Sequence, residues 1–168
     1  MARNKTDSSR IDLKSKLRES MVALLNRQLA DTLDLYTQVK QAHWNVKGAN
    51  FIALHELFDK LAEELEGPVD DIAERVTALG GVARGTSRVA ARESRLPEFP
   101  LDRVEGLTAV ALLADRYAAL GASTRAAIET AGRESDADTS DLFTGISRGL
   151  DKALWFLEAH LIQDDPSR

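Results

Sequence analysis

The chain has 168 residues, 43% hydrophobic and 29% charged, with a net charge of −5, which fits one domain of a soluble helical protein. No apolar run reaches the roughly eighteen residues of a membrane span, and the amino-terminal MARNKTDSSRIDLKSK has no signal-peptide core. The absence of cysteine excludes disulfides, thiolate metal sites and a cysteine nucleophile.

Charge is unevenly spread. Residues 1–18 carry six basic side chains (Arg3, Lys5, Arg10, Lys14, Lys16 and Arg18) against Asp7 and Asp12, a balance of +4 that leaves −9 on the remaining 150 residues. Residues 1–12 are predicted to be a flexible basic arm suited to an anionic partner, although such a terminus also simply aids solubility. The acidic body attracts cations.

From Leu13 the pattern turns helical, with Leu17, Met21, Leu25, Leu29, Leu33, Tyr36 and Val39 recurring at three- and four-residue steps. His43 lies near the end of this helix, and Val46 to Asn50 reads as a turn. A second helix is predicted from Phe51, through Leu54, Phe58, Leu61 and Leu65, and then through Ile72, Val76 and Leu79 to Gly80-Gly81. Gly67-Pro68 interrupts it, but the apolar face keeps phase, which predicts a kinked, continuous helix. Residues 82–101 form a long connection in which TSRVAARES is a short helix. Asp102 is predicted to cap a third helix whose inner side carries Leu107, Val110, Ala114, Tyr117, Leu120, Thr124 and Ile128. Gly132 to Asp138 reads as a loop, Thr139 to Ile162 as a fourth helix, and residues 164–168 as a short tail. Four long helices with a long crossover between the second and third, carrying a short helix, predict an all-α, ferritin-type four-helix bundle over residues 13–163.

The chemistry concentrates in HWNVKGANFIALHELFDKLAEELEGPVDDIAERVTALGG, residues 43–81. His55 and Asp59 are four apart, as are Asp70 and Glu74, so each pair shares a helix face. Imidazole with carboxylates suits Fe(II), Zn or Mn. Asp59 and Asp70 are eleven residues apart, which returns to nearly the same face but about 16 Å along one helix. Metal–ligand bonds of about 2.0–2.2 Å cannot span that. The two pairs could close on one ion if two copies lay antiparallel, or if a real break at Pro68 bent the halves together; with a continuous helix the expected site is shared across a symmetric dimer. Either pair, taken singly, is equally a charged helix surface, and His43 alone reads as a helix-end cap. Lys40, Ile52 and Leu157 stand three before the histidines, so the Glu-x-x-His motif of a site within one bundle is absent. No role is assigned to His160.

The run QAHWNVKGANFIALHELFDK followed by DDIAERVTALGGVARGT closely resembles the Dps family, the DNA-binding proteins from starved cells or mini-ferritins, over roughly residues 15–162. The resemblance implies a ferroxidase centre between two subunits, with His43, His55 and Asp59 from one and Asp70 and Glu74 from the other. It also implies a homododecameric shell in the cytoplasm, at a bacterial nucleoid, that oxidises iron with hydrogen peroxide or dioxygen and stores a ferric oxide core. Trp44 reads first as a packing residue, with radical interception as the family's alternative. Asp138 and Asp141 suit the positive end of a helix and, by resemblance, an acidic iron pore. DNA binding would use Arg3, Lys5, Arg10, Lys14 and Lys16, multiplied by avidity over the shell. The competing expectation is a DNA-compacting protein whose metal site is vestigial or holds zinc.

Overall fold

The computed structural model describes residues 9–102 and 105–162. Arg3, Lys5 and the predicted tail 164–168 lie outside the described residues. The described residues form five helices: α1 (Ser15–Asn45), α2 (Phe51–Ala78), α3 (Ser87–Glu93), α4 (Gly106–Arg133) and α5 (Ala137–Ala159). The four long helices make the bundle, and α3 sits in the crossover from α2 to α4, as the sequence predicts. Connections of only five residues between α1 and α2 and three between α4 and α5 fold each pair back on itself. Those two hairpins are the most intimately packed helix pairs.

Apolar stripes at helical spacing build one core. Met21, Leu25, Leu29, Leu35 and Val39 of α1 meet Leu54, Phe58, Leu61, Ile72 and Val76 of α2, together with Val110, Leu113, Leu120, Phe143, Leu150 and Leu157 from the second hairpin. Leu35 is fully buried while its neighbours Leu33 and Tyr36 are only partly so. Tyr117 is buried among these residues, its hydroxyl donating to the carbonyl of Leu61 at 3.3 Å.

α2 runs through Pro68 without interruption. The missing proline N–H deprives only the carbonyl of Glu64, an exposed residue, of its helical donor. After α2, Gly80 turns the chain with φ +82, and Gly81 passes so close to α1 that a Cβ there would lie 2.6 Å from both Val22 methyls. The crossover is then fastened to α1 residue by residue. Asn26 bonds the carbonyl of Val82 and the N–H of Arg84, Asp31 receives the backbone and guanidinium of Arg95, Asp34 takes the hydroxyl of Ser94, and Gln38 donates to the carbonyl of Pro97. Arg116 of α4 completes the strapping with a 2.8 Å bond to the carbonyl of Glu98.

The predicted cap at Asp102 does not start the helix: α4 begins at Gly106, with an extended Glu105 at its N-cap position, and a Cβ on Gly106 would meet Leu54 at 2.7 Å. Leu107 consequently stands half exposed instead of inward, and Leu113 takes a core place that the sequence reading omitted. Two other boundaries move. The loop before α5 shrinks to residues 134–136, with Ser135 at φ 65. The cause is Asp136, which caps α5 by accepting from the N–H of Thr139 at 3.0 Å. At its other end α5 stops at Ala159, leaving Leu161 and Ile162 exposed.

Candidate metal centre

The five-residue turn between α1 and α2 brings His43, two residues before the end of α1, beside His55 in the first turns of α2. The two residues lock each other. His43 Nδ1 lies 2.9 Å from the carbonyl oxygen of His55, and His55 Nδ1 lies 3.0 Å from that of His43. A carbonyl only accepts, so each Nδ1 carries the proton and each Nε2 keeps its lone pair, the arrangement that suits imidazole as a metal ligand. The rings stack with centroids 3.8 Å apart, and Phe51 leans on His55 with its centroid at 5.2 Å.

Asp59, one turn beyond His55 on α2, places Oδ1 3.7 Å from His43 Nε2. Two donors on one ion, at bonds of about 2.0–2.2 Å, stand roughly 3.0–3.7 Å apart, so this pair is close to chelating distance. The same Oδ1 accepts a 2.7 Å hydrogen bond from Lys40 Nζ. That bond is the main cause holding the Asp59 carboxyl below its usual range, against a smaller opposing effect of desolvation, and the lysine charge adds to it. The reciprocal bond raises Lys40, against a smaller opposing effect of desolvation. Both groups are therefore charged at neutral pH.

Asp70 and Glu74 are on the same unbroken helix but a further eleven and fifteen residues along, about 16 Å and 22 Å by helical rise. Both are exposed, and neither forms an ion pair among the described residues. One subunit thus gathers His43, His55 and Asp59 and holds Asp70 and Glu74 apart from them. Among the described residues, no group of three or more acidic or imidazole side chains of the single chain is placed to hold a metal ion.

The remaining candidates divide. Trp44 does not pack into its own subunit's core; it is 65% exposed, with its ring 6.0 Å from Lys40 Nζ. Asp138 and Asp141 occupy the first turns of α5. Asp138 is exposed, 3.7 Å from a guanidinium nitrogen of Arg75, and Asp141 lines a cavity of about 430 Å³ between α2 and α5. Arg75 itself is committed to Asp136 at 2.8 Å and to the hydroxyl of Thr139 at 2.9 Å. The sequence reading missed Lys40, Arg75 and Asp136; Asp136, three residues before Thr139, carried a cap signal that was legible. Arg10, Lys14 and Lys16 are exposed ahead of or at the start of α1. Arg18, counted among the basic residues of the terminus, is instead buried and donates to the carbonyl of Leu79 at 3.0 Å, closing the end of α2. His160 bonds the carbonyl of Phe156 at 2.8 Å on an exposed helix end. No helix of the described residues is long and apolar enough to cross a membrane.

Residues 22–165 match the ferritin-like domain family. The chain is 41% identical over 157 residues to the DNA protection during starvation protein of Agrobacterium fabrum, a match covering 94% of this chain and 97% of that one. Among solved structures it is similar to DpsC from Streptomyces coelicolor, with a TM-score of 0.93 at 30% identity over 98% of this chain and 96% of that one. It is also similar to a Vibrio cholerae Dps protein described as a member of a broad superfamily of ferritin-like diiron-carboxylate proteins, with a TM-score of 0.86 at 25% identity over 96% of this chain and all of that one. With the HWN…H…D pattern folded into a histidine pair at the hairpin turn, these similarities establish that the chain belongs to the Dps family of ferritin-like proteins.

Proposed function

We propose that the protein oxidises Fe(II) at a centre completed between two antiparallel subunits and stores the ferric product. The observation that carries this reading is the split ligand set. His43 and His55 have their free Nε2 atoms fixed by reciprocal Nδ1–carbonyl bonds beside Asp59, while Asp70 and Glu74 stand unpaired far along the same helix. A symmetric partner lying antiparallel brings its Asp70 and Glu74 to the first subunit's histidines, and reciprocally, so one dimer carries two centres. The diiron-carboxylate description of the Vibrio cholerae relative supports iron as the substrate.

The donor set fits iron. Two imidazoles hold Fe(II), and hard carboxylate oxygens favour Fe(III) once it forms. Hydrogen peroxide is the proposed oxidant, with dioxygen as the slower alternative. Two Fe(II) ions each give one electron, and with two protons the peroxide becomes two waters, so no hydroxyl radical is released. The chain's own residues fix the imidazole tautomers, keep Asp59 ionised and place Trp44 at the solvent edge, where it would intercept a stray oxidising equivalent. In the proposed dodecamer, Asp138 and Asp141 would line the iron passage and the oxide would collect inside. The exposed Arg10, Lys14 and Lys16, with Arg3 and Lys5 before them, would bind DNA through its phosphates; the name of the Agrobacterium fabrum relative supports a DNA-protecting role.

The test is complementation between half-sites. His55→Ala and Glu74→Ala are each expected to reduce peroxide-dependent Fe(II) oxidation to near the protein-free rate. Unfolding and reassembling the two variants together is expected to recover about a quarter of the wild-type centres, since half of the random dimers are mixed and each mixed dimer regains one site of two. No recovery, with assembly intact, would refute the shared centre. A protein that condenses DNA and binds zinc yet leaves Fe(II) unoxidised would instead favour the DNA-compacting alternative.

A further inference from the structure

The oxygen best placed to share an ion with His43 already carries a cation. Lys40 Nζ sits 2.7 Å from Asp59 Oδ1, the same atom that lies 3.7 Å from His43 Nε2. Lys40 stands on α1, three residues before His43, so its stem rises on the face that carries the imidazole. Its side chain is 22% exposed and its ammonium lies 6.0 Å from the Trp44 ring, so it has both a route to water and an aromatic face to rest on. The hairpin has fastenings besides this pair. The His43–His55 lock and the buried stripes of α1 and α2 hold that end of the bundle without it.

We propose that Lys40 is a built-in competitor for the metal position: its ammonium neutralises Asp59 in the metal-free subunit and is expelled from Oδ1 by each divalent ion that binds. This rests on the reading of His43, His55 and Asp59 as a metal half-site, and adds to it a residue that sets the affinity threshold. A monovalent cation offers the carboxylate no more charge than the ammonium already does and does not displace it. A divalent ion that also gains two imidazoles does. Lys40 acts on affinity through Asp59 and is not itself a ligand.

The experiment is Zn²⁺ binding to the full-length assembled protein by titration calorimetry, with Lys40→Met, Lys40→Arg and His43→Ala. Lys40→Met keeps the stem and removes the charge, and is expected to bind Zn²⁺ about tenfold more tightly at unchanged stoichiometry, the loss of one charge-assisted hydrogen bond from the competing state. Lys40→Arg, which keeps a cation on the carboxylate, is expected to stay at or below wild-type affinity. If Lys40→Met binds no more tightly than wild type while His43→Ala binds far more weakly, the competitor is refuted and the site stands. If His43→Ala binds as wild type does, the site reading fails and Lys40 falls with it. A crystal structure of the wild-type protein with Zn²⁺ needs no variant to fold. Lys40 Nζ withdrawn beyond 4 Å from Asp59 Oδ1 is the expected result, and Nζ still hydrogen-bonded to Oδ1 beside the ion overturns the proposal.

Discussion

Asp136 shows how much one carboxylate carries when it is almost fully buried. It receives the N–H of Thr139, the Thr139 hydroxyl and the guanidinium of Arg75, and so joins the cap of α5 to the last turns of α2. Asp136→Ala removes the cap and leaves Arg75 without its main acceptor. The expected cost is about 2–3 kcal/mol, read as a lowered urea midpoint. Tyr117 makes a different test. Burial, with the nearby charge of Glu64 as a lesser cause, pushes its phenol well above the ordinary range. The folded chain therefore keeps the proton after the unfolded chain has lost it at about pH 10. The stabilising contribution is complete below that pH and declines as pH rises through it. Wild type is expected to lose more stability than Tyr117→Phe between pH 9 and pH 11, and equal losses would mean that the hydroxyl titrates freely in the fold.

Among the elements, α1 is the one that the sequence pattern describes least completely. Its apolar stripe is plain, but the helical pattern assigns no role to Asn26, Asp31, Asp34 and Gln38. Each instead holds a backbone or side-chain group of the crossover. Their partners lie 56 to 64 residues away, and no periodicity within α1 reports a partner at that range. Asp102, a good cap by residue type, does not cap α4, whose N-cap position falls to Glu105. At the α2–crossover junction, Gly81 is needed for close approach. Gly81→Ala is expected to cost about 1–3 kcal/mol of stability through overpacking against Val22. Val22→Ala, itself destabilising, should make that substitution markedly less costly. Additive losses in a double-mutant cycle would show that the contact is not the cause.

For the whole molecule, the separation of a basic terminus from an acidic body predicts that the two proposed activities can be removed independently. Deleting residues 1–12 is expected to leave assembly and Fe(II) oxidation unchanged while ending DNA retention in a gel-shift assay at low salt. The wild-type complex itself should dissociate steeply as salt rises. Arg18 does not belong to that arm in function, because its guanidinium is spent on the end of α2. A deletion extended through Arg18 should therefore lower stability, which a deletion ending at residue 12 should not.

The sequence by itself determined the four-helix architecture, the short helix in the crossover and the continuity of α2 across Pro68, because helical periodicity is local and survives one lost hydrogen bond. The eleven-residue interval from Asp59 to Asp70 likewise fixed, by helical rise alone, that one straight helix cannot close both pairs on one ion. Only the tertiary structure decided the mutual lock of His43 and His55, the ammonium of Lys40 on Asp59, and the start of α4 at Gly106. Each of these depends on which atoms of two different helices or a distant loop come within 3 Å or so of each other. That distance is set by how the elements pack, and no spacing along a single helix contains it.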